Sequence, residues 1–119
     1  MNASVLIVDD DAAFRGLARR ILTGRGFDVL GEADSVEAAR AAVTSTKPDA
    51  VLVDVMLPDG NGFVLARELV ALPWKPRIVV TSSDEQAGAE EAVRRDGIVA
   101  FVSKEDLPSA PLEQLLGGP

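Results

Sequence analysis

Short apolar runs alternate along this chain with longer stretches whose apolar residues recur every three or four positions. Ser4–Val8 is the first run, rich in β-branched residues and closed by Asp9. Phe14, Leu17, Ala18 and Ile21 then fall at i, i+3, i+4 and i+7, one face of a helix, with Arg15, Arg19 and Arg20 opposite. Gly24 and Gly26 stop that helix. Residues 27–33 predict a second strand. Ser35 is placed to cap a helix that buries Val36, Ala39 and Val43. After Pro48, Ala50–Asp54 reads as a third strand, again ended by an acid.

Residues 57–62 are dense in Pro, Asp, Gly and Asn and predict a turn. A helix over 62–72 follows, with Phe63, Ala66, Leu69 and Val70 inward. Pro73 and Pro76 bracket a loop before a fourth strand over 77–81. Residues 84–96, rich in Ala and Glu, predict a helix stopped by Gly97. A fifth strand is expected over 98–102. A short last helix over 107–116, opened by Pro111, completes the pattern.

That is a strand followed by a helix, five times. Strict alternation predicts an α/β fold with a parallel sheet and helices on both faces. Strands that are unbroken apolar runs fit a sheet covered on both sides. In such sheets the ligand site lies beyond the carboxyl ends of the strands. Function is therefore to be sought just after each strand.

Composition narrows the chemistry. At 119 residues the chain is long enough for one domain and no more. It has no cysteine and no histidine, which removes disulfide scaffolds, thiolate and histidine metal sites, and histidine-based triads. The net charge of −7 argues against direct binding to nucleic acid or an anionic membrane. The first apolar run is too short for a signal peptide or a membrane span, so a cytoplasmic location is expected.

The strand ends carry a distinctive set. Asp9, Asp10 and Asp11 follow strand one, Asp54 closes strand three, Thr81, Ser82 and Ser83 end strand four, and Ser103 and Lys104 follow strand five. Two carboxylates about 5 Å apart repel by about 3 kcal/mol at an effective dielectric near 20. Acids gathered at one edge must protonate or share a cation. An all-oxygen ligand set suits magnesium, which keeps open positions for phosphate oxygens. A carboxylate there can accept a phosphoryl group, with a lysine and a hydroxyl to hold its oxygens. No glycine-rich nucleotide loop competes for this role.

Taken singly, each residue has a plainer reading. Asp9, Asp10 and Asp11 suit a helix N-terminus. Asp54 suits a solvated strand end, Thr81 a strand or turn, Phe101 a core position and Lys104 the surface. Ser82 and Ser83 suit a turn or a cap, and Glu85, Glu90 and Glu91 a solvated helix face. The chain has three lysines against nine arginines, which gives mild weight to Lys104, because a compact ammonium suits phosphate without bidentate geometry.

In order along the chain, these marks resemble the receiver domain of two-component response regulators, the family of the chemotaxis regulator. They are the acidic pair in Val8-Asp9-Asp10, and Asp54 followed by Met56-Leu57-Pro58 and Gly62. Thr81 closing Ile78-Val79-Val80 and Phe101 three places before Lys104 complete the set. The resemblance covers residues 1–119 as a single receiver domain. It implies a flavodoxin-like sheet of order 2-1-3-4-5, an order that comes from the resemblance and not from the pattern. It also implies Asp54 as phosphoryl acceptor. Magnesium would be held by Asp10, Asp54 and the backbone carbonyl of Met56, with Asp9 acting through water. Lys104 would contact the phosphoryl oxygens and Thr81 would move to hydrogen-bond them. Phe101 would then change rotamer and alter the surface of helix four, strand five and helix five.

The implied donor is a phosphohistidine on a sensor kinase or phosphotransfer protein, and the implied output is an unidentified protein. A homodimer through that same surface is compatible. The domain would catalyse only its own phosphorylation and dephosphorylation, and is not expected to be an enzyme on a separate substrate. The Gly117-Gly118-Pro119 end fits either a natural terminus or a longer regulator with a DNA-binding domain. Several positions depart from the family pattern. Glu105 follows Lys104 where the family usually has a cis proline. A cis bond without proline costs about 3–4 kcal/mol, so a trans peptide and a reshaped loop are expected. Asn61 stands where Asp is frequent, Ile98 where Ala is usual, and Phe101 where Tyr is commoner. Two other functions remain open. One is a magnesium-dependent phosphohydrolase with an aspartyl nucleophile, although Met56 occupies the place of its second Asp. The other is a phosphate-independent protein-binding module.

Overall fold

A computed structural model describes residues 2–117. Gly118 and Pro119 of the terminal motif lie outside the described residues. Five strands form one parallel sheet: β1 (Ser4–Val8), β2 (Asp28–Ala33), β3 (Ala50–Asp54), β4 (Arg77–Ser82) and β5 (Ala100–Ser103). Their spatial order is β2-β1-β3-β4-β5, as the resemblance implies. The helices are α1 (Ala12–Gly24), α2 (Val36–Thr46), α3 (Gly62–Val70), α4 (Ala89–Asp96) and α5 (Leu112–Leu115). A two-residue antiparallel ladder, Met56–Leu57 against Gly60–Asn61, folds the β3–α3 loop back on itself.

The period of two along each strand sorts the core into two layers. Leu6, Val8, Val51, Val53, Ile78 and Val80 face α2 and α3. Val5, Ile7, Ala50, Leu52 and Val79 face α1 and the C-terminal segment. The three central strands are buried on both sides. The edge strand β2 is not: alternate residues are open, and Leu30 is 37% exposed.

Helix starts follow side-chain chemistry. Asp11 caps α1 by accepting from the Ala13 and Phe14 amides, and Ser35 caps α2 through the Ala38 amide. Asn61 caps α3 through the amides of Phe63 and Val64. The remote Asp59 also accepts from the Val36 amide at 2.7 Å and the Glu37 amide at 3.1 Å. It thereby ties the β3–α3 loop to the start of α2.

Several expectations shift. Leu17 is exposed, because the buried stripe of α1 runs through Phe14, Ala18 and Leu22, four residues apart. Phe27 is buried in the turn before β2, its amide bonded to the Leu22 carbonyl, and the strand begins at Asp28. Helix α3 stops at Val70, short of Leu72, where the amides of Ala71 and Leu72 turn back three residues. Leu65, Ala66 and Leu69 are its buried side chains, while Phe63 and Val70 are half-buried.

Helix α4 begins at Ala89 rather than residue 84. Residues 84–88 form a turn in which the Ser82 hydroxyl accepts from the Asp84 amide and the Gln86 side chain. Gly88, at φ 79°, is in the left-handed region that ends this turn. Strand β5 is displaced to 100–103 because its register on β4 runs from Val79–Ala100 to Ser82–Ser103. That register places Lys104 directly at the strand end.

The last helix is reduced to a 3-10 segment, Lys104–Ser109, and the single turn of α5. Pro108 and Pro111 lack the amide protons that a continuous α-helix needs. The Arg25 guanidinium donates to the carbonyls of Ala110 and Pro108, and Arg77 to those of Leu115 and Gln114, which fixes the segment against the sheet. The Lys104–Glu105 peptide is trans, as expected. Among the described residues no helix is long and apolar enough to cross a membrane.

Candidate functional site

The register brings the expected strand ends together. Val8 pairs with Val53, Asp54 with Thr81, and Ser82 with Ser103, so Asp9, Asp54, Thr81 and Lys104 emerge along one edge.

Asp9 leaves β1 with its amide donating to the Ala33 carbonyl at 2.9 Å. Its carboxylate is 1% exposed and accepts from the Asp11 amide at 2.8 Å. Its carbonyl accepts from Arg15 Nη1 at 2.6 Å. Arg15 is in turn paired with Glu32 on β2, which also receives Arg19. The Arg19 hydrogen bond leads in holding the Glu32 carboxyl below its usual range. Asp10, next in sequence, is exposed. Asp9, Asp10 and Asp54 each offer a carboxylate oxygen, all within 4.8 Å of one another.

Lys104 reaches into this group from the end of β5. Its Nζ lies 2.7 Å from Asp9 Oδ2 and 3.7 Å from Asp54 Oδ1. The same nitrogen sits 4.5 Å from the centroid of the Phe14 ring. One ammonium thus pairs with two of three crowded acids. Burial foremost, and then the Asp9 charge, push the Asp54 carboxyl up to about 6, against the opposing pull of Lys104. Burial works against the Lys104 charge, but the hydrogen bond and charge of Asp9 and the charge of Asp54 outweigh it, and hold its pKa above the ordinary value. A cation held among these carboxylates would offset the burial and like charge that raise Asp54. The donor set is all oxygen, which fits magnesium.

Thr81 is 1% exposed, and its hydroxyl has no hydrogen-bond partner among the described residues. A buried hydroxyl without a partner is unfavourable, and Thr81 is the register partner of Asp54 on the neighbouring strand. Met56 is exposed on the β3–α3 loop, two residues past Asp54. Gly62 anchors that loop, its amide donating to the Val55 carbonyl at 2.6 Å. A Cβ on Gly62 would lie 2.8 Å from the Val55 Cα and overlap the Asp54 carbonyl, so only glycine fits.

Phe101 is not part of this cluster. It is half-buried and stacks on Phe63 of α3, ring centroids 6.2 Å apart. Sequence reasoning missed the roles of three residues that shape the site. Phe14 registered only as core, Arg15 only as a solvated face, and Asp59 only as a turn former. Gly62 was among the marks of the resemblance, but its steric contact with the Asp54 carbonyl has no local signal.

A family model described as the response regulator receiver domain matches residues 5–114. The chemotaxis protein CheY of Thermotoga maritima is 34% identical over 116 residues, covering 97% of this chain and 96% of that protein. The DNA-binding transcriptional activator DevR/DosR of Mycobacterium tuberculosis is 40% identical over 102 residues, 77% of this chain but 47% of that protein. The chain therefore spans nearly all of one relative and about half of the other. Among solved structures, the BeF3-activated N-terminal receiver domain of Klebsiella pneumoniae RstA matches with a TM-score of 0.81. It is 27% identical, with 94% of each chain covered.

Proposed function

The chain belongs to the response regulator receiver domain family, and from that premise we propose that Asp54 is the residue at which it accepts a phosphoryl group. The observation that carries this reading is the placement of Lys104 Nζ between Asp9 and Asp54 beside a third carboxylate.

The three acids are not equivalent. Asp9 is engaged by the Lys104 ammonium and the Asp11 amide, and Asp10 is open to solvent. Asp54 stands at the centre of the edge, with its carboxylate one strand from the unpartnered Thr81 hydroxyl. Asp9, Asp10 and Asp54, with the Met56 carbonyl, are the residues to hold magnesium. A bound magnesium ion supplies the positive charge that keeps these acids ionised and balances phosphoryl oxygens. Lys104 holds one phosphoryl oxygen and Thr81 donates its hydroxyl proton to another. Phosphoryl transfer needs chiefly positioning and charge neutralisation, which this arrangement provides.

The donor is a phosphohistidine on a sensor kinase or phosphotransfer protein. It comes from a partner, because the chain has no histidine. The donor ring nitrogen keeps the electron pair of the broken bond to phosphorus, and an Asp54 oxygen forms the new one. Water later returns the carboxylate and releases inorganic phosphate. The domain acts on no separate substrate and works in the cytoplasm. Movement of Thr81 toward the phosphoryl group, followed by a new rotamer of Phe101 against Phe63, changes the surface of α4, β5 and α5 that meets an output protein or a second copy. The net charge of −7 disfavours contact with nucleic acid by this domain itself.

The test is labelling by acetyl phosphate with magnesium, read by intact mass. One phosphoryl adduct is expected on the wild type and none on Asp54→Ala. An equal adduct on the variant would place the acceptor elsewhere and overturn the reading.

A further inference from the structure

We propose that Phe14 is a positioning residue for phosphoryl transfer, its ring face holding the Lys104 ammonium where it can turn from Asp9 to a phosphoryl oxygen on Asp54. The inference rests on the assignment of Asp54 and Lys104 above.

Lys104 carries four methylene groups and has wide freedom of rotation. Its known anchors are both acids: Asp9 at 2.7 Å and Asp54 at 3.7 Å. The ammonium is in full contact with Asp9, the nearer and more deeply buried carboxylate, and must turn from it to reach an oxygen on Asp54. The Phe14 ring supplies a third anchor, 4.5 Å from Nζ. The face of an aromatic ring carries partial negative charge and attracts a cation, most strongly where water is excluded. Here the Lys104 side chain is 15% exposed and Phe14 is 8% exposed, so the contact is largely dry.

The ring is itself held in place. Phe14 lies in the first turn of α1, where its amide donates to the capping Asp11. Its side chain belongs to the core layer that includes Ala18 and Leu22. Attraction to a ring face is weaker than a close charge pair and ties up none of the ammonium's hydrogen-bond donors to a fixed acceptor. Phe14 therefore steadies the ammonium while leaving it free to exchange a carboxylate partner for a phosphoryl oxygen. An aliphatic side chain of similar size would fill the core equally well but would leave that side of the ammonium with no electrostatic partner.

The decisive test separates volume from ring charge. Phe14 is replaced by its mono-, di- and trifluorinated forms, which keep the ring in the core while draining charge from its face. The initial rate of Asp54 labelling by acetyl phosphate, with magnesium in excess, is expected to fall stepwise. The total loss is about fivefold or more, with little change in melting temperature. In proton NMR of the wild type the Lys104 ε-methylene resonances are expected upfield, shifted by the ring, and Phe14→Leu returns them to their ordinary position. A labelling rate indifferent to fluorination, in a protein whose labelling is abolished by Lys104→Met, would overturn the role of Phe14 and leave that of Lys104 standing. Unshifted ε-methylene resonances in the wild type would also overturn it. Full labelling of Asp54→Ala would instead bring down the site assignment, and this inference with it.

Discussion

Lys104 is paired with Asp9 more closely than with Asp54, at 2.7 Å against 3.7 Å. Its side chain crosses the ends of β4 and β3 to reach the acid that follows β1. The pairing neutralises the most buried carboxylate of the cluster and leaves Asp54 the less engaged of the two. It also makes Asp9 the acid whose removal most disturbs the others.

Asp9→Asn is expected to weaken magnesium binding by about tenfold or more, the scale on which supporting carboxylates act at metal sites. The same change removes the like charge that helps raise the Asp54 pKa, and frees Lys104 to pair with Asp54. Isothermal titration with magnesium, beside the wild type, measures the loss. Unaltered affinity would remove Asp9 from the metal site.

The raised pKa of Asp54 makes a prediction about pH. Its folded value of about 6 lies above the ordinary 3.8, so the native state binds more protons than the unfolded chain between these values. The stabilising contribution is fully present below about pH 4 and is lost as pH rises through 6. Without metal, Asp54→Asn should therefore be more stable than the wild type at pH 7, by on the order of 2 kcal/mol. The difference should shrink toward zero near pH 4. Urea titrations of both proteins in a chelator, at the two pH values, provide the comparison. A constant gap would show that ionisation of Asp54 is not its source.

Gly62 is held against the backbone of the acceptor residue. Gly62→Ala forces a Cβ into the Asp54 carbonyl and the Val55 Cα, both rigid main chain. The expected penalty is about 2 kcal/mol or more, at the upper end of overpacking. Labelling of Asp54 should fall with it, because the strand end itself must shift. Thermal melting and acetyl phosphate labelling on one preparation test both halves.

Asp59 joins the loop beyond Asp54 to the first turn of α2. Its carboxyl is held below the usual carboxylate range by the amides of Val36 and then Glu37. Asp59→Ala leaves those two amides to water, and should lower the melting temperature by a few degrees at pH 7. The stabilisation is that of the ionised form, so the gap should close as pH falls through the lowered folded pKa. Hydrogen exchange at Val36 and Glu37 should quicken in the variant, while exchange in the central strands stays slow.

The strand-end acids were legible because a parallel sheet collects every carboxyl terminus on one edge. Once Ser4–Val8 and Ala50–Asp54 are parallel strands, Asp9 and Asp54 stand on the same edge, and the strand order that the resemblance implies makes them neighbours. Caps were equally legible: Asp11 and Ser35 bond the amides that their positions predict. Local pattern failed where no periodic apolar face exists. Residues 84–88 have none, and side-chain bonds to Ser82 with a left-handed Gly88 turned an expected helix into a loop. Pro108 and Pro111 likewise broke the last helix into two pieces.

The sequence alone determined which residues stand at the functional edge, because strand alternation and chain order are local properties. Only the tertiary structure decided how they share charge. Which acid Lys104 leans on, how far burial lifts Asp54, and what lies under the ammonium all depend on distances between residues far apart in the chain. Phe14 and Lys104 illustrate the limit. Helical spacing assigns one to the core and strand position assigns the other to the edge, but their 4.5 Å contact exists only because α1 packs where β5 ends.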